Sequence, residues 1–175
     1  GHSYGAEFRV KYAWENLDFS AAYTFTESER QGPVINQGRP YPFAFNHRHA
    51  INTKIKARFE NKDIKKVTEI VLGYRYGSGK RTTFPFQELD FRNYPQFNVL
   101  DSRNNALLPP AHLLNLSFNF LSKRKGHLRT FSISISQVTL SPYIFNYTKV
   151  DTEDGRIRGE SPILLYPSIS YYIDF

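Results

Sequence analysis

Four short stretches carry residue types that could do chemistry. The first is YRYGSGKRT at 74–82, preceded by Gly73, where Gly73, Gly79 and Lys80 invite comparison with a phosphate-cradling loop. Such a loop wraps phosphate in backbone N–H groups between two glycines at fixed spacing, and its Ser or Thr after the Lys holds magnesium. Here the step from Gly73 to Gly79 is one residue too long and Arg81 stands where the hydroxyl belongs. The stretch therefore reads as the end of a strand and its turn. The second is His47 and His49, which on a strand would face the same side and could share a metal. The chain has no Cys, and no third ligand is evident, so a structural role at a strand end is the better reading.

Asp151, Glu153 and Asp154 before Gly155 resemble a calcium loop, but they lack the alternate acidic positions and distant Glu that such a loop needs. A solvated acidic cluster fits better. Asn146-Tyr147-Thr148 matches a glycosylation acceptor by chance composition. No nucleophile, base and orienting group converge anywhere, so the expectation is a protein that is not an enzyme and uses no cofactor or metal.

The 175 residues suffice for one domain and include 15 Phe, 12 Tyr and one Trp, with no Met or Cys, at a net charge of +7. A basic, aromatic chain could follow nucleic acid by phosphate contacts and base stacking. Here Lys and Arg are spread through alternating segments and turns, as on a solvated face, so no nucleic acid partner is expected. There is no apolar run long enough for a membrane helix and no signal peptide pattern. Contact with a bilayer would have to be made by strands.

The hydrophobic period is two. Tyr4, Ala6, Phe8, Val10, Tyr12 and Trp14 alternate with Gly5, Glu7, Arg9, Lys11 and Ala13, and after Glu15-Asn16 the pattern resumes through Leu17, Phe19, Ala21, Tyr23 and Phe25. Further segments run through 51–59, 68–76, 112–120, 130–136 and 165–175, which predicts seven strands, paired as successive hairpins, and no helix. Alternation alone fits a soluble sandwich or a membrane barrel, since each has one wet and one apolar face. Most of these segments exceed the about 5 to 6 residues usual in soluble strands and approach the about 9 to 11 that cross a bilayer. Connections also alternate, short at 15–16, 61–63 and 122–126, long at 28–46, 77–110 and 140–161. Outer-membrane barrels sort tight periplasmic turns from long extracellular loops in this way and carry aromatic girdles, for which Tyr12, Trp14, Tyr74, Tyr76, Tyr171 and Phe175 are placed near strand ends. In such a barrel the charged alternates Glu7, Arg9, Lys11, Asp18, Lys54, Lys56, Arg58, Glu69 and Arg75 would face the lumen.

A family resemblance sharpens this. SYGAEFRVKYAWENLDFSAAYTFTESER, INQGRPYPFAFNHRHAINTKIKARF, YGSGKRTT, NALLPPAHLLNLSFNF and LLYPSISYYIDF follow the order and spacing of the C-terminal part of TonB-dependent receptors of Bacteroidetes type. The chain departs from the family at Asn46-His47-Arg48-His49, where an Asp-Arg-Arg-His is common, and at Leu140-Ser141-Pro142-Tyr143, where an Asn-Pro-Tyr-like segment is common. Both departures leave the ligand class open.

The resemblance implies an all-β fold, the last seven strands of an antiparallel transmembrane barrel of about 22 strands in the bacterial outer membrane. The barrel would be completed by the N-terminal part of the same receptor, with its earlier strands and a plug through which TonB acts. Strand one would then descend from the extracellular side. The terminal residues Phe175, Ile173, Tyr171 and Ile169 resemble the signal read by the barrel-assembly machinery. The implied function is active uptake of a ligand too large or scarce for porins. The alternative is a receptor-like barrel serving as a docking subunit of a larger outer-membrane complex without transport. The loop aromatics Phe84, Phe86, Phe91, Tyr94 and Phe97 are candidates for stacking on a ligand or packing on a partner surface lipoprotein.

Overall fold

The computed structural model describes residues 1–61, 66–82, 103–104, 106–124, 127–139, 146–150, 157–160 and 165–174. The strands are β1 His2–Trp14, β2 Leu17–Arg30, β3 Tyr41–Pro42, β4 His49–Asn61, β5 Lys66–Gly77, β6 Arg81–Thr82, β7 Ala106–Leu107, β8 Ala111–Arg124, β9 His127–Thr139, β10 Asn146–Val150, β11 Ile157–Glu160 and β12 Tyr166–Asp174. Ile35–Gly38 forms a tight turn in which Asn36 and Gln37 take left-handed backbone angles, φ 55° and 54°, and no α-helix occurs among the described residues.

Seven long strands form one antiparallel sheet in the order β1-β2-β4-β5-β8-β9-β12, each beside the next long strand in the chain, with β3 added to the end of β2. The fold is thus all-β and the sheet is open. Among the described residues β1 pairs with β2 alone, and β12 with β9 alone. The first hairpin closes at Glu15, whose φ of 26° is the left-handed backbone that a two-residue turn asks of its first position. Arg58 N–H donates to Asn16 O at 2.7 Å and ties that turn to β4.

Register puts the apolar alternates of every strand on one face. Phe8 opposes Tyr23, which opposes Ile51, which opposes Tyr76, and so on to His112. Further down, Ile70 opposes Phe118, then Ile133 and Ile169. This face is uncovered: Phe8 is 67% exposed, Trp14 63% and Ile169 74%. The buried hydrophobic residues among those described are Tyr41, Leu108 and Ala111, all at the end of the sheet where the long connections lie, so the strands enclose no core of their own.

The other face is concave and mainly polar, with Val67, Val71, Leu113, Leu121 and Tyr172 also on it. Glu7 and Arg9 on β1 line the same hollow as Asn115 and Ser117 on β8, although β2, β4 and β5 intervene, so the sheet curls toward its polar side.

β9 carries a bulge that explains a change of phase. Ile135 opposes Leu116 but Val138 opposes Leu114, leaving Ser136 and Gln137 across from Asn115. Strict alternation after Ile135 would point Gln137 to the apolar side, and the bulge gives that place to Val138. Gln137 sits at φ 58°, and its N–H donates to Asn115 Oδ1 at 2.8 Å.

The structure corrects the expected boundaries. β4 runs through Asn61, β8 through Arg124, and β2 through Arg30, so residues read as turn or loop continue their ladders. Each long connection contains short strands, β3, the β6–β7 pair and the β10–β11 pair, where plain loops were expected. The ladder persists because polar residues near strand ends satisfy backbone pairing as well as apolar ones do; side-chain polarity locates faces, not ends.

The bulge yields a test. Gln137→Gly should leave stability unchanged or raise it by up to about 1 kcal/mol, whereas Gln137→Val should lower it by about 1 to 2 kcal/mol, because a β-branched residue resists positive φ. Thermal unfolding of the two variants measures the difference.

Candidate functional site

Each polar-face residue is positioned by the register just described. One cross-strand row reads Lys11, Ser20, Lys54, Gly73, Asn115, and the next toward the loops reads Arg9, Ala22, Asn52, Arg75, Leu113. Small residues at Ser20, Ala22 and Gly73 form a floor, and Arg9, Lys11, Lys54 and Arg75 stand around it. The result is a hollow of ≈ 590 Å³. A side chain at Gly73 would meet Asn115 at ordinary contact distance, 3.7 Å, so its absence leaves room without relieving a clash.

All nine charged residues expected on one face lie there. Arg9 pairs with Glu7 at 2.7 Å, and Lys56 with Asp18 directly across the ladder at 2.7 Å. Arg58 opposes Glu69 in register. Arg9, Lys11, Lys54, Lys56, Arg58 and Arg75 thus share the surface with Glu7, Asp18 and Glu69; register adds Glu60, Asp174 and Lys123 to the same face, and among the described residues the cations remain in modest excess. Both ion pairs are largely solvent-exposed, so each contributes at most about 1 kcal/mol. Their consequence is orientation of charge. The hollow can accept an anionic group or the acidic side of a partner surface.

Uncharged polar residues share this face and were not singled out from the sequence. Asn52, Asn115, Ser117, Asn119, Ser132, Ser134, Ser168 and Ser170 continue it across to β12, with Ser134 and Ser168 hydroxyls 2.7 Å apart. The same alternation that marked the charges would have found them.

A second cluster joins the connections at the loop end. Asn104, 7% exposed, donates from Nδ2 to Pro42 O at 2.6 Å, and Arg103 N–H donates to Asn36 Oδ1 at 3.2 Å. The Arg103 guanidinium lies 5.5 Å from the Tyr41 ring centroid, and that of Arg30 lies 4.0 Å from Phe43. Arg48 and Glu27 form a tight ion pair. The two histidines weighed as a metal pair take separate partners, His47 Nδ1 with Ser78 O at 2.5 Å and His49 Nδ1 with the Tyr23 hydroxyl at 2.8 Å. Both serve the junction between strand end and loop.

Ile169, Tyr171 and Ile173 lie on the apolar face of β12, whereas Phe175 lies outside the described residues. The loop aromatics Phe84, Phe86, Phe91, Tyr94 and Phe97 and the acidic residues Asp151, Glu153 and Asp154 also lie outside them. Compared with protein-family models, curated proteins and solved structures, the chain matches none.

Gly79, in the stretch that resembled a phosphate loop, has a packing role. It is buried, and a Cβ there would stand 1.6 Å from Leu108 O, beside the Leu108 N–H to Lys80 O bond of 2.8 Å. Gly79→Ala should therefore separate residues 78–82 from 106–108, at about 1 to 3 kcal/mol locally. Hydrogen exchange checks this: the Leu108 amide should lose protection while the amides of β1 and β2 keep theirs.

Proposed function

We propose that this chain is a wall segment of a transmembrane β-barrel in the bacterial outer membrane, belonging to a TonB-dependent receptor that takes up a ligand. The observation that carries the reading is the pairing of curvature with polarity. A soluble sheet that curls encloses its apolar side chains, whereas this sheet curls around its mainly polar side and turns its aromatic and aliphatic face outward.

Dimensions support the same reading. Tyr4 and Trp14 bracket the apolar face of β1, and at about 3.3 Å per residue with a tilt near 40° they lie about 25 Å apart along the normal, the height of an outer-membrane apolar band. The histidines and tyrosines at the loop end, His49 with Tyr23 and His112 with Tyr74, form amphipathic pairs suited to a membrane interface. In this arrangement the lumen is lined by the hollow and its cations, and the loop cluster faces outside. Strands β1 and β12 pair there with the remainder of the barrel. The excess of cations suits an acidic plug surface or an anionic cargo, which TonB-driven rearrangement would expose in turn.

Orientation and energy coupling are tested together. A Cys at Val34, 80% exposed at the loop end, should react with an impermeant maleimide on intact cells, and one at Asn16 should react only after the outer membrane is opened. In vivo photo-crosslinking of the full-length protein should capture TonB. Reversed labelling contradicts the orientation, and correct labelling without TonB capture contradicts transport in favour of a docking subunit.

A further inference from the structure

The apolar face is interrupted at its turn end by two cations. The cross-strand row there reads Lys66 on β5, Ser122 on β8, Arg129 on β9 and Ile173 on β12, all on the side of the sheet that carries the exposed aromatics. The row above it, two residues toward the loops, reads Thr68, Phe120, Phe131 and Tyr171. Phe120 and Phe131 stack with ring centroids 6.2 Å apart. Between the rows lies a hollow of ≈ 340 Å³, lined by Lys66, Ser122, Arg129, Phe120, Phe131 and Tyr171 among others.

Three features make this more than an interfacial charge. Among the described residues no carboxylate stands in the row, whose members are Asn61, Lys66, Ser122, Arg129 and Ile173. Arg129 Nε is buried and makes no hydrogen bond to the protein, a donor of the kind native structures rarely leave unused. Ser122 on β8, between the cations, adds a hydroxyl, and two strand spacings put the backbones of Lys66 and Arg129 about 10 Å apart, a span that their long side chains close onto one phosphodiester.

We propose that Lys66, Ser122 and Arg129 form a binding site for the headgroup phosphate of an anionic phospholipid, with its acyl chains lying over Phe120, Phe131 and Tyr171. The proposal rests on the membrane reading of the apolar face. It assigns to this edge of the sheet the leaflet that meets the short turns, where such a lipid would fix the depth of β5, β8 and β9. The aromatic row and the cationic row stand in the order that a lipid presents its tail and its head.

The test is a lipid titration of the full-length protein in detergent, read by native mass spectrometry, with phosphatidylglycerol, phosphatidylcholine and inorganic phosphate as probes. Phosphatidylglycerol should be retained about tenfold more tightly than phosphatidylcholine, and Arg129→Gln or Lys66→Gln should each weaken it about 5- to 10-fold. Lys123→Gln, a cation at the same end of β8 but on the opposite face, should leave retention unchanged. Equal retention of the two lipids, unchanged binding in Arg129→Gln, or an equal loss in Lys123→Gln overturns the site. Displacement of the lipid by millimolar inorganic phosphate would make it a free-oxyanion site and overturn the lipid assignment. A nitroxide at Ile133→Cys separates the premises: relaxation by aqueous reagents alone refutes the membrane reading, whereas relaxation by oxygen with unchanged lipid retention refutes only the site.

Discussion

A sheet that buries almost none of its own apolar side chains has to be stabilised by whatever covers them. Burying one large apolar side chain contributes about 1.5 to 3 kcal/mol, and here Phe8, Trp14, Phe59, Phe120, Ile169 and Tyr171 among others stand exposed on one face. No segment among the described residues lies across that face, and the few buried residues belong to the junction of loops at one end. Backbone pairing holds the strands in register, but the ladder alone does not repay the conformational entropy of ordering them. The uncovered face is therefore the constraint on which every other feature depends.

Curvature follows from the same constraint. Small residues at Ser20, Ala22 and Gly73 let the polar side contract, while Phe, Tyr, Ile and Leu widen the other side. A sheet so shaped is concave on its polar side and presents its apolar surface on the convex one. On the membrane reading proposed above, the outer edges of β1 and β12 are the second requirement, because unpaired N–H and C=O groups cannot be left in a hydrocarbon environment. The proposed barrel, in which further strands pair with both edges and lipid covers the apolar face, meets both requirements at once.

Much of this was legible in the residues themselves. The alternation from Tyr4 to Trp14 and its return from Leu17 define the first hairpin, and the same rule puts all nine charged candidates on one surface. Alternation is local, and each successive hairpin propagates it by one strand. Other features are set by contacts between distant residues and leave little local trace. The close approach of Gly79 to Leu108 O joins two segments of one long connection, and a glycine among Ser78, Lys80 and Arg81 reads equally well as a turn. The bulge at Gln137 did leave a mark, a shift of apolar phase between Ile135 and Val138, visible once the strand is followed past Ser136. The cationic row of Lys66, Ser122 and Arg129 was hidden for a different reason: its members sit where strand ends were expected to give way to turns, so their face was not asked about.

The most direct measurement is site-directed spin labelling along β1, residues 7 to 12, in the full-length protein reconstituted in a bilayer. Collision with oxygen, which concentrates in lipid, is compared with collision with a water-soluble nickel chelate. The account predicts strict alternation, with oxygen favoured at Phe8, Val10 and Tyr12 and nickel at Glu7, Arg9 and Lys11. Nickel accessibility at Phe8, Val10 and Tyr12, or protection of all six positions from both reagents as in the core of a sandwich, would contradict it.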